Sequence, residues 1–159
     1  MCDSLFCGRR FRTLNIVDDF SREVLAIEID VGLSAERVIR VLDRVVAWRG
    51  HPSKLRMDNG PEFISSTLAD WSEEHAIDLE FIQPGKPTQN SYVERFNRTY
   101  RDEVLNMYVF KTLSEVRAIT EEWMDQYNEE RRHDALGDLT PFEYRMAHQP
   151  LENSNLDCH

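Results

Sequence analysis

Residues 9–31, RRFRTLNIVDDFSREVLAIEIDV, place two runs rich in β-branched and apolar side chains on either side of the turn-prone Asp18-Asp19-Phe20-Ser21. That pattern predicts an antiparallel hairpin. In its second arm Ile27, Ile29 and Val31 alternate with Glu28 and Asp30, the two-residue period of a half-exposed strand. Working outward, residues 34–49 open at Ser34, a good N-cap, and gather Val38, Ile39, Leu42, Val45 and Val46 on one helical face before Gly50 and Pro52 stop the helix. Lys54–Met57 reads as a short strand running into Asp58-Asn59-Gly60, residues 61–76 as a helix and Asp78–Ile82 as another strand. The loop Gln83–Gln89 carries a glycine and two prolines, which forbid regular structure. From Asn90 a long helical pattern begins that buries Val93, Phe96 and Tyr100, and two later helices open on the capping boxes Thr112–Glu115 and Thr140–Glu143. Two strands, helix, strand, helix, strand and then helices make a mixed α/β sheet covered by helices.

The 159 residues suit one domain with a real core, and 41% hydrophobic with 30% charged residues fit a globular rather than a disordered chain. No apolar run approaches the roughly 18 residues of a membrane span, and the N-terminal MCDSLFCGRRFRT has no signal-peptide core, so no membrane partner is expected. The three cysteines, Cys2, Cys7 and Cys158, are odd in number and sit near the termini, which points to a reducing, cytoplasmic setting. With His159 they lack the paired spacing of a zinc site. The net charge of −10 taken alone argues against a surface that grips nucleic acid everywhere, but it is unevenly spread. Residues 1–57 carry 10 basic and 8 acidic side chains, and residues 58–159 carry 9 and 21.

Two carboxylates stand out. Asp58 closes a strand at the carboxyl end of the sheet, where ligand sites of α/β folds lie. Glu94 falls in the first turn of the helix from Asn90, where the helix dipole favours a charged carboxylate. The 35 residues between them hold a helix, a strand and a loop, enough to return the chain to the same edge. Paired ionised carboxylates need a cation between them, and hard oxygen donors select Mg2+ or Mn2+. Each motif also has a plain structural reading: Asp-Asn-Gly is a turn signal, and Glu94 with Arg98 is an i,i+4 salt bridge.

The segments LNIVDDFSREVLAIEID (14–30), MDNGPEF (57–63), QPGKPTQNSYVERFNRTYRDEVL (83–105) and YNEERRHDALGDLTPFEY (127–144) together resemble the catalytic domain of bacterial insertion-sequence transposases, the group related to retroviral integrases. The resemblance runs from about residue 5 to residue 147 and leaves 148–159 as a C-terminal tail. It implies a ribonuclease H-like mixed sheet flanked by helices, and a D-D-E metal triad whose last two members stand 35 residues apart, as Asp58 and Glu94 do. It further implies DNA as partner (transposon ends and target), a homo-oligomer on that DNA, a bacterial nucleoid-associated location, and Arg101 as a basic position set against DNA. The family's first catalytic Asp lies in a stretch resembling W-S-M-D-F, which this alignment puts about two residues ahead of Met1. The expectation is a truncated first strand and little strand transfer by the chain as it stands. Asp3 is the nearest carboxylate, but four positions along an extended strand is about 13 Å. Asp18 and Asp19 match an Asp pair at the hairpin turn and read as structural, and Arg132 stands where the family has Pro in YN-x-x-R-P-H. His133 is open between a DNA contact, a capping role and a core role.

Between Gln83 and Arg101 the chain carries Lys86, Arg95, Arg98 and Arg101 against one acid, Glu94. Lys86, Arg98 and Arg101 beside a metal cleft suit a phosphate backbone, and Asn90, Gln89 and Tyr92 are candidates to meet bases or sugars. Three functions follow: an integrase-type transposase domain that cleaves and joins phosphodiesters, an inactive remnant that only binds DNA or dimerises, or a metal-dependent nuclease of the same fold.

Overall fold

The computed structural model describes residues 1–58, 60, 63–83, 85, 86, 88 and 91–149. Strand β2 (Arg10–Val17) turns back into β3 (Val24–Asp30) in the expected hairpin, paired from Arg12↔Asp30 to Ile16↔Ala26, with a bulge between Ile16 and Val17 leading into the turn. Asp18 shapes that turn: its carboxylate accepts the Phe20 N–H at 2.9 Å and the Ser21 hydroxyl at 2.9 Å, while Arg22 sits in the left-handed region with φ 62°. β1 (Cys2–Ser4) adds antiparallel to the other side of β2.

The remaining strands, β4 (Lys54–Met57) and β5 (Asp78–Phe81), pair in parallel as a second ladder. The architecture is the expected mixed α/β one, but among the described residues it consists of two ladders. A groove lined by both β2 and β4 lies between them.

Helix α1 (Ala35–Arg49) starts where Ser34 accepts the Arg37 N–H and ends at Gly50, whose φ of 90° suits glycine. α2 (Ser66–Glu74) begins later than the sequence suggests. Phe63 and Ile64 belong to a turn, and Ser65 caps the helix by accepting the Leu68 N–H at 3.1 Å. α3 (Ser91–Tyr100) runs on into a π-helical turn, Arg101–Leu105. α4 (Leu113–Glu129) and α5 (Pro141–His148) open on the two expected capping boxes, both complete, and a 3-10 turn, Asp134–Leu136, lies between them.

Each face of the hairpin has its own core. Phe11, Val24 and Ile29 pack with Phe96, Tyr100, Val116, Trp123 and Tyr127 of α3 and α4. Leu14 packs with Val38, Val41 and Leu42 of α1, Leu68 and Trp71 of α2, and Met57 of β4. Glu28 and Asp30, expected on an open face, meet α1 and α4: Arg37 reaches both carboxylates, Arg44 reaches Glu28 and Arg117 reaches Asp30.

The outer edge of β3 is finished by side chains of α4. Asn128 mimics a paired strand residue, accepting the Val24 N–H at 2.8 Å and donating to the Val24 carbonyl at 2.9 Å. Arg117 donates twice to the Ile29 carbonyl, at 3.2 and 2.7 Å. The spacing fits because eleven residues of helix and five of strand both span about 16 Å. No helix among the described residues is long and apolar enough to cross a membrane.

Two predictions follow from these contacts. Replacing Asn128 with Ala removes both bonds and orphans the Val24 amide, so urea unfolding should show a loss of about 2 kcal/mol, with Asn128→Asp recovering part of it through the retained acceptor. The second concerns acid. Burial works to raise the Asp18 carboxyl, but hydrogen bonds from Arg49, the Phe20 amide and Ser21 outweigh it and hold it below the ordinary 3.8. A depressed carboxylate stabilises the fold above its unfolded value, and the contribution is lost as pH falls through the folded one. Glu23 acts with the opposite sign, since burial raises it despite Arg145 and Arg49. In a Glu23→Gln background, the melting temperature should therefore fall as pH drops below about 4, and adding Asp18→Asn should flatten that slope.

Candidate active site

At the end of β4 the chain emerges at Asp58, whose Oδ1 accepts the Gly60 N–H at 2.8 Å. This side-chain turn is the reason an Asp followed by a glycine two residues later leaves the strand sharply. The exposed carboxylate stands at the groove between the ladders, a space of about 230 Å³. Its walls come from Arg12, Asn15 and Val17 of β2, from Leu55 and Met57 of β4, and from Val93 and Asn97 of α3.

α3 presents its faces unequally. Phe96 and Tyr100 are buried in the core, whereas Glu94 and Arg98 are exposed. Burial raises the Tyr100 hydroxyl to about 12 even though it bonds Thr120 at 2.7 Å, so it stays protonated. Glu94 is in the first helical turn, one residue after Val93 and three before Asn97, so the two groove-lining residues of α3 bracket it. Asn97 accepts a 2.7 Å hydrogen bond from the Asn15 amide, which ties this face of the helix to β2. Sequence reasoning missed both asparagines. The available signal was the i,i+3 spacing of Glu94 and Asn97, which puts them on one side of a helix.

The other expected site residues divide into two groups. Lys86 is exposed beside Gly85, and Arg95 and Arg98 are exposed on α3. Arg101 instead turns to β1, donating to the Asp3 carboxylate at 3.3 Å and to the Cys2 carbonyl at 2.8 Å. Tyr92 is half-buried, with its hydroxyl 3.3 Å from the Arg22 carbonyl and 3.1 Å from the Tyr127 hydroxyl. Burial and then Tyr127 push its phenol far above the ordinary value. Asn90 and Gln89 lie outside the described residues.

His133 packs edge-on against Tyr127 at 5.2 Å, and its backbone bridges to Leu139. Burial, followed by the charges of Arg131 and Arg22, lowers its pKa, so at neutral pH it is an uncharged ring rather than a cation. Arg132 donates to the Asp138 carbonyl at 2.8 Å. Cys2 and Cys7 are exposed free thiols, and Cys158 and His159 lie outside the described residues. Among the described residues no three His, Cys, Asp or Glu side chains gather closely enough to hold a metal ion. Asp58 and Glu94 nevertheless supply the hard carboxylate oxygens that Mg2+ or Mn2+ takes.

Two models of the integrase core domain match the chain, one over residues 2–87 and one over 75–141. An uncharacterized 31.7 kDa protein of insertion element IS407 from Burkholderia multivorans is 46% identical over 147 residues, covering 92% of this chain and 53% of that protein. A 39.2 kDa protein of insertion element IS476 from Xanthomonas euvesicatoria is 39% identical over 153 residues, covering 96% of this chain and 44% of its own length. The chain thus spans about half the length of these relatives. Among solved structures, the HTLV-2 integrase catalytic core domain in complex with magnesium superposes with a TM-score of 0.71 at 17% identity, covering 91% of this chain and 90% of that one. A chain of the simian T-cell lymphotropic virus intasome in complex with PP2A regulatory subunit B56 gamma gives 0.75 at 20% identity, covering 96% of this chain and 53% of that one. The fold is therefore the ribonuclease H-like fold of retroviral integrase cores, and the chain belongs to the integrase core domain family.

Proposed function

We propose that this chain is the catalytic domain of an integrase-type transposase, spanning residues 1–147 with 148–159 as a tail, and that Asp58 and Glu94 are its metal-holding catalytic pair. The observation that supports this reading is the groove: Asp58, Val93 and Asn97 line it, and Glu94, which does not, stands exposed on α3 between those two residues in sequence. Mg2+ or Mn2+ held there would stabilise charge developing on a phosphodiester during in-line displacement. The rest falls to the protein. The first turn of α3 carries Glu94. The Asn15–Asn97 bond holds the helix against β2. The groove would receive two phosphodiesters in turn: at the element end water attacks phosphorus and the 3′-oxygen leaves as a free 3′-hydroxyl, and on the target that 3′-hydroxyl attacks phosphorus and expels the target strand's own 3′-oxygen.

We assign backbone contact with transposon ends and target DNA to Lys86 and Arg98, and to Asn90, which lies between them in sequence. Tyr92 and Arg101 have internal partners, and their part is to shape the site. The HTLV-2 core is known in dimeric and trimeric forms, which supports a homo-oligomer acting on DNA, and the bacterial insertion-element relatives support a place in the bacterial cytoplasm, at the nucleoid. A second reading, a module that binds DNA or dimerises without chemistry, draws on the lack of a three-membered ligand group among the described residues.

Mn2+ titration followed by paramagnetic relaxation tests the pair. The wild-type chain should bind the ion, and Asp58→Asn or Glu94→Gln should each weaken binding at least about tenfold while leaving the circular dichroism spectrum unchanged. Binding that ignores both substitutions would overturn the assignment. Incubation of the chain with Mg2+ and a duplex carrying the element's end separates the two readings. The chain as it stands should join strands little; metal-dependent nicking that Asp58→Asn abolishes supports the enzyme, and a gel shift with no metal-dependent nicking supports the binding module. For the DNA ridge, Arg98→Ala should lower the slope of log affinity against log salt by about one, the expectation for one lost phosphate contact.

A further inference from the structure

Tyr92 was a candidate for contact with DNA, but its surroundings give it another task. It lies in the first turn of α3, two residues ahead of Glu94, and its ring is covered by the Arg22 guanidinium with the Cζ 4.1 Å from the centroid. Arg22 is itself held by Asp19 at 2.9 Å in the left-handed hairpin turn. The Tyr92 hydroxyl has one proton. If it goes to the Arg22 carbonyl, the 3.1 Å bond with Tyr127 is made by the Tyr127 hydroxyl donating. Tyr127 is fixed in turn: it is buried on α4, with Phe96 edge-on at 5.4 Å, Trp123 at 5.1 Å and the Arg131 guanidinium 5.2 Å from its ring.

Two residues along a helix turn the side chain by about 200°, so Tyr92 and Glu94 project to nearly opposite sides of α3. Asn97 holds the Glu94 side to β2, and Tyr92 holds the other side to the hairpin turn and to α4. A helix held at both sides is fixed in its rotation about its own axis. We infer that Tyr92 is a positioning residue, and that its hydroxyl bonds with Tyr127 and the Arg22 carbonyl set the roll of the first turn of α3, which fixes where the exposed Glu94 stands relative to the groove that Asp58, Val93 and Asn97 line. This rests on the reading of Glu94 as a metal ligand.

Tyr92→Phe keeps the ring beneath Arg22 and removes only the hydroxyl. Hydrogen exchange of residues 91–96, measured on the full chain without metal, should quicken about fivefold in Tyr92→Phe, the factor expected for one net hydrogen bond. Mn2+ affinity should fall by a similar factor, and the melting temperature should move little. The double variant with Tyr127→Phe should show less than the sum of the single effects, because the hydroxyls share one bond. Unchanged exchange in Tyr92→Phe overturns the inference whatever the metal does. Faster exchange with wild-type Mn2+ affinity, in a protein whose Glu94→Gln variant binds Mn2+ weakly, also overturns it and leaves the metal site standing. Mn2+ affinity that ignores Glu94→Gln overturns the metal reading instead, and exchange alone then decides whether Tyr92 holds the turn. If Tyr127→Phe fails to fold, Tyr92→Phe by itself gives the answer.

Discussion

Strand β2 must bury both of its faces, and the molecule is arranged around that requirement. Phe11 points into a core built by α3 and α4, and Leu14 into a core built by α1, α2 and β4. A strand with one wet face would need one cover; this one needs two, and their depth is set by side-chain size. The groove is a consequence. It opens where β2, between its two covers, faces the end of β4 across a gap that α3 borders. Groups delivered to that gap by different elements, Asp58 from a strand end and Asn97 from a helix, are held by packing remote from the gap itself.

α3 shows how a weak element becomes a firm support. Ten residues are too few for a helix to be stable alone in water. Phe96 and Tyr100 anchor it by burial, and polar ties hold it on successive turns: Tyr92 to Tyr127 and the hairpin turn, Asn97 to Asn15, and then Arg101 to β1 just beyond its end. Each hydrogen bond contributes only about 1 kcal/mol net. Their value is directional: Asn97 and Arg101, four residues apart on one face, tie the helix to β2 and β1, and Tyr92 ties another face to the hairpin turn and α4, so that rotation is opposed from two sides. That is the condition for a carboxylate on its exposed face to keep one aim.

Much of this was legible in the chain. The hairpin, the Ser34 cap, the Gly50 stop and both capping boxes are local features whose partners lie within a few residues, and the structure contains each of them. The split into two ladders was not legible, because strand periodicity says which face is buried and nothing about which edges meet. The late start of α2 depends on a turn at Phe63–Ile64 that apolar periodicity reads as helix. Asp58 and Glu94 stood out as candidates from chemistry, spacing and the family resemblance, but Asn15, Tyr92 and Arg101 have partners 82, 35 and 98 residues away. A side chain's local pattern carries no trace of such a contact. Arg101 and Arg98 look alike in sequence, and only the fold separates the one bonded to β1 from the one left exposed.

The same distinction resolves the charge. A net −10 describes the chain, whereas a phosphate meets only the charges near it. Many of the cations are bound within the protein: Arg37 and Arg44 at Glu28, Arg49 at Asp18, Arg145 at Glu23 and Arg131 at Glu103. These pairs fix helices to the sheet and offer little field outward. Among the ion pairs of the described residues, Lys86, Arg95 and Arg98 do not occur. An acidic protein can thus present a basic edge, provided its surplus acid lies elsewhere and its arginines near the groove are not all neutralised at home. The affinity of such an edge for DNA depends on salt through the few exposed cations and is set hardly at all by the total charge.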